Sequence, residues 1–74
     1  MADLACALGQ EFAFRSDPVV KADLRERCLG AIRRTLEINP GWKRRFIELL
    51  TGEGGDDDLA SFRQDPDFRS LLGL

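Results

Sequence analysis

Arg27, Arg33 and Arg34 in one stretch, with Lys43-Arg44-Arg45 in the next, are the side chains of this sequence best suited to recognising another molecule. Guanidinium groups are permanently charged planar forks that grip carboxylates or phosphates in bidentate fashion, so these residues suit binding of an acidic group rather than bond making. Material for catalysis is scarce. The 74 residues include no histidine, which removes the commonest general acid/base and nitrogen ligand. Cys6 and Cys28 are too few for a disulfide framework and too widely spaced for a zinc site, so two reduced, mostly buried thiols are expected. Asp56-Asp57-Asp58 falls short of a calcium loop, because the glycine due at the sixth position is Ser61 and the twelfth position offers Asp67 where a bidentate Glu belongs. Gly52, Gly54 and Gly55 follow a helical pattern and lead into aspartates that would repel phosphate. These residues imply no catalytic group, no metal and no cofactor.

The elements that carry the arginines are marked by proline. Every proline follows an Asp or Asn, in Asp17-Pro18, Asn39-Pro40 and Asp65-Pro66, and each pair precedes a stretch with helical spacing of apolar residues. Proline disfavours the α conformation for the residue before it and has no N–H to lose in the first turn, while the Asx side chain can accept from the second or third helical N–H. Leu4, Leu8 and Phe12 predict a first helix over residues 3–15. A second spans 18–38, with Val20, Leu24, Cys28, Ala31 and Thr35 on one side and Leu29, Ile32 and Leu36 widening that side until it needs two neighbours. Its polar arc holds Asp23/Arg27 and Arg33/Glu37 at the i,i+4 spacing that supports an exposed helix. A third helix covers 40–51, with Trp42, Phe46, Leu49 and Leu50 on one face and Gly52 placed as a left-handed cap. Residues 52–58 read as a flexible acidic linker, and 59–72 as short capping helices. No strand pattern occurs. The expected fold is all-α: three antiparallel helices followed by a short helical cap.

A chain of this length forms one domain, and a core so small rarely supplies more than ~3–5 kcal/mol. The start of the sequence lacks the basic region of a secretory signal, and no segment approaches the roughly 20 apolar residues of a membrane span, so a cytoplasmic, soluble protein is expected. The formal net charge is −2, but residues 1–45 hold nine basic and six acidic side chains, whereas 46–74 hold two and seven. Such asymmetry steers a partner, or is neutralised internally if the acidic part folds back over the basic part.

Thr35-Leu36-Glu37-Ile38-Asn39-Pro40-Gly41-Trp42 resembles the end of a tetratricopeptide repeat, where an aliphatic-acidic-aliphatic-Asn-Pro turn leads into an aromatic at the start of the next helix. Residues 58–73 are similar to the capping segment after the last repeat in many bacterial members, and Leu8-Gly9 followed by Phe12 resembles the Leu-Gly-x-x-Tyr step of the first helix. Ala5 stands where the family has Trp, Phe12 replaces Tyr, and the stretch from Gly9 to Pro40 is about seven residues longer than a ~34-residue repeat allows. The resemblance implies a single degenerate repeat with its cap, acting through protein–protein contact.

Lys43-Arg44-Arg45 stands at the positive end of a helix, where cations are unfavourable, so it is either a basic patch for an acidic partner or is neutralised by Asp56-Asp57-Asp58. Gly30 sits in the polar arc of the longest helix, where it weakens the helix and allows something to approach closely. Trp42 is expected in the core beside Phe46, and Phe14 is less clearly inward. The reading is a non-enzymatic interaction module whose partner is a protein, a peptide or a second copy, bound through Arg27, Arg33, Arg34, Lys43, Arg44 and Arg45. The rival is nucleic-acid binding by the same basic helices, against which the acidic isoelectric point weighs.

Overall fold

Each Asx-Pro pair starts a helical segment. The Asp17 carboxylate accepts from the backbone N–H groups of Val19 and Val20 at 2.9 and 3.4 Å, the Asn39 side chain from Gly41 at 3.1 Å, and Asp65 from Asp67 at 3.0 Å. The structure, a computed structural model, describes the backbone of residues 2–74 and the side chains from residue 4 onward. Its elements are α1 (Ala2–Phe14), α2 (Pro18–Ile38), α3 (Lys43–Thr51) and α4 (Pro66–Leu71), with 3-10 turns at Pro40–Trp42 and Ala60–Phe62. Among the described residues there is no strand, and the protein is all-α.

Two local details differ from the sequence reading. The segment expected as one helix from residue 40 opens as a 3-10 turn, with the Trp42 N–H donating to the Asn39 carbonyl at 3.1 Å, and only then becomes α3. Gly41, a weak helix former directly after proline, favours that tighter start. Trp42 is consequently 37% exposed and not in the core, although its ring lies 5.9 Å from that of the fully buried Phe46. Three residues per turn, rather than 3.6, swing it away from the α3 face that Phe46, Leu49 and Leu50 bury.

α1 and α2 lie side by side in opposite directions: Lys21 sits 4.5 Å over the Phe12 ring, and one helix end away the Cys28 thiol donates to the Ala5 carbonyl at 3.4 Å. The broad apolar side of α2 is covered. Cys28, Leu29, Ala31, Ile32 and Thr35 are buried, Leu24 and Leu36 half-buried, and only Val20 at the start of the helix is left open. One continuous core joins these residues to Ala5 of α1, to Phe46, Leu49 and Leu50 of α3, and to Leu59, Phe62, Phe68 and Leu72 of the C-terminal segment. Phe12, Phe62 and Phe68 form an aromatic run through it, with ring centroids 4.5 and 4.1 Å apart and the second pair stacked.

Gly52 ends α3 at φ 80°, in the left-handed conformation that glycine adopts without Cβ strain, and its N–H donates to the Glu48 carbonyl at 2.7 Å. The Arg63 guanidinium donates to the carbonyls of Leu50 and Thr51, so the last turn of α3 is capped from the segment that follows it. The chain between them is tied at its far end, where the Leu59 N–H donates to the Leu49 carbonyl at 3.3 Å.

Candidate functional site

Arg27, Gly30, Ala31 and Arg34 follow the i, i+3, i+4, i+7 spacing that brings residues onto one face of a helix. On α1, Leu4 and Leu8 are one turn apart and face the same side. Together these six residues line an open groove of about 330 Å3 between the two helices. Leu4 is 52% exposed and Leu8 half-buried, so the walls are apolar while the two arginines stand at the ends.

Gly30 sets the depth of this groove. A Cβ at position 30 would meet no other group of the described residues within 4 Å. Gly9, the other helical glycine, has a different reason to be small, because a Cβ there would collide with the backbone carbonyl of Asp58 and press on Leu59. The first glycine opens space to solvent and the second allows α1 to touch the chain beyond α3.

The charges on the groove are available. Arg27 lies 2.9 Å from Asp23 as the i,i+4 spacing implies, but both side chains are mostly exposed, and such pairs are weak and readily exchanged. Arg34 forms no ion pair among the described residues, and neither does Arg33 with Glu37, although their spacing permits it. Arg33 points elsewhere, into a cleft with Glu26, Leu29, Asp67 and Leu71 between α2 and α4.

The third cluster divides again. Arg45 is held by Asp56 at 2.8 Å and by Glu48 at 3.3 Å, which raises its pKa through those hydrogen bonds and places it in the internal compensation that the sequence allowed. Arg44 is only 3.8 Å from Glu48 and is 92% exposed, and Lys43 lies near Gly73. Of the six basic residues singled out in the sequence, the structure therefore brings Arg27 and Arg34 to one groove and leaves Arg33 and the Lys43–Arg45 run at separate places.

Arg25 is a charged residue that the sequence pattern did not single out. Its Nε and Nη2 donate to the two oxygens of Asp65 at 2.7 and 2.9 Å, Nη2 also reaches Asp67 at 2.6 Å, Nη1 reaches Glu26 at 2.7 Å, and the guanidinium lies 5.7 Å from the Phe68 ring centroid. These bonds raise the Arg25 pKa and hold the Asp65 carboxyl below its ordinary range. With four of its five N–H donors engaged, Arg25 clamps α4 to α2 and is committed to the fold. Only the Asp-Pro-Asp spacing around Pro66 hints at a fork-shaped acceptor, and nothing local says which arginine fills it.

The Cys28 thiol is pushed up to about 12 by burial, with a smaller contribution from Cys6 nearby, which makes it a poor nucleophile at neutral pH. Among the described residues no group of three or more His, Cys, Asp or Glu side chains is placed to hold a metal ion. No described helix is long and apolar enough to cross a membrane. Comparison with protein-family models, with curated proteins and with solved structures found no match to this chain.

Proposed function

We propose that this protein is a non-enzymatic interaction module that holds a protein partner in the groove between α1 and α2, on a helical scaffold of tetratricopeptide-like character. The observation that carries the reading is Gly30: it opens a space that no described residue fills, between two arginines and beside two partly exposed leucines. An apolar floor with charged ends suits a protein surface, in which an apolar anchor supplies burial and a charge fixes its register. The dispersal of the basic residues over three places offers no continuous stripe for a polynucleotide backbone, so a protein partner is preferred to nucleic acid.

A photo-reactive benzoylphenylalanine at Ala7, an exposed residue of α1 next to groove-lining Leu8, tests the reading in extract of the native host. The same residue at Arg44, on α3, is the control. The expected result is a discrete light-dependent adduct from position 7 and none from position 44. Adducts from position 44 alone would move the contact surface to α3, and none from either would contradict the proposal.

A further inference from the structure

Building on that reading, we infer that the partner is an acidic amphipathic helix of another protein, presenting two carboxylates seven residues apart with a pair of aliphatic side chains between them. Arg27 and Arg34 are themselves seven residues apart, about two turns or ~10.5 Å along the axis of α2. Between them Gly30 and Ala31 lower the surface, and Leu4 and Leu8 form the facing wall. A second helix laid along this groove has the same pitch, so carboxylates at i and i+7 meet the two guanidinium groups while aliphatic residues at i+3 and i+4 enter over Gly30. The groove volume of about 330 Å3 is of the size that accepts a few side-chain anchors.

Charge complementarity selects the occupant. Arg34 forms no ion pair among the described residues, and Arg27 holds only an exposed neighbour, so each can take up an incoming carboxylate in bidentate fashion. A second copy of this chain matches poorly, because none of α1–α4 carries two acidic residues seven apart, and Asp65 and Asp67 are held by Arg25. A phosphate backbone leaves the leucine wall and the Gly30 floor without an apolar complement. Gly30 is the most telling residue. Glycine is the poorest ordinary helix former after proline, and here no packing demand among the described residues requires it.

A fluorescein-labelled helical peptide with Glu at i and i+7 around Leu-Leu at i+3 and i+4 provides the probe, with a Gln-for-Glu version as control. Fluorescence polarisation against the full chain should show saturable binding at 50 mM NaCl, weaker binding at 500 mM, and a loss of about tenfold or more for the Gln peptide. Gly30→Leu fills the groove and should abolish binding while leaving the melting temperature equal or higher, and Arg34→Gln should weaken it about tenfold with the fold intact. Equal binding of the two peptides, retention by Gly30→Leu, displacement of the peptide by mixed-sequence duplex DNA, or no saturable binding of the Glu peptide would each overturn the inference. Failure of the peptide together with a position-7 adduct to another protein rejects this partner chemistry and leaves the interaction role standing. An adduct of the chain with itself would assign the groove to a second copy, and no adduct at all would remove both.

Discussion

Two glycines inside helices carry opposite instructions, and a single methyl group tells them apart. At position 9 the methyl would run into the Asp58 carbonyl, so Gly9→Ala should destabilise the fold by about 1–3 kcal/mol, seen as a lower denaturant midpoint. At position 30 it would meet no described group, and Gly30→Ala should stabilise by about 0.5–1 kcal/mol in the same experiment. The anomaly at Gly30 was visible in the sequence because a glycine among Arg27, Arg33 and Arg34 breaks a strictly local rule. The role of Gly9 was not, since its neighbour is a backbone atom contributed by a distant segment, and no side-chain pattern records such an encounter. Cys28 makes a separate prediction: with its thiol pushed up to about 12, it should resist a thiol-modifying reagent at pH 8 until the protein is unfolded by urea.

The helix starts were legible because Asx capping and the proline at the first position act within four residues. What lies between elements was harder to read. Trp42 matches the apolar spacing of α3, yet the 3-10 start turns it outward, and the clamp of Arg25 on Asp65 and Asp67 joins residues that only the tertiary fold brings together. Asp65→Asn retains a good N-cap residue and removes the charge, so its effect isolates the clamp. With both partners less than a third exposed, the loss should be about 1–3 kcal/mol at pH 7 by chemical denaturation. The Asp65 pKa is depressed in the folded state, so this contribution is complete above the unfolded value near ~3.9 and disappears as pH falls through the lower folded value. Parent and variant should therefore differ by a constant amount from pH 7 to about 5 and converge below about 4. A gap that persists at pH 2 would place the effect elsewhere.

For the molecule as a whole, the lopsided charge of the sequence is resolved by folding the acidic C-terminal part against the basic part, through Arg25 with Asp65 and Asp67 and through Arg45 with Asp56. That compensation takes Arg45 out of the set of free cations and leaves Arg27 and Arg34 at the α1–α2 groove. The breadth of the apolar side of α2 implied cover on two flanks, and Leu29 and Ile32 are buried while Leu36 is half-buried. The groove itself was not foreseen, because Leu4 and Leu8 follow the same periodicity as core residues and only the placement of α1 against α2 leaves them at an opening. The most direct measurement is a 15N–1H correlation spectrum of the full chain titrated with the two-glutamate peptide. Shift changes should concentrate on the amides of Leu4, Leu8, Arg27, Gly30, Ala31 and Arg34 and leave Lys43, Arg44 and Arg45 in place. Changes centred on Lys43–Arg45, or none at a saturating excess of peptide, would contradict the account.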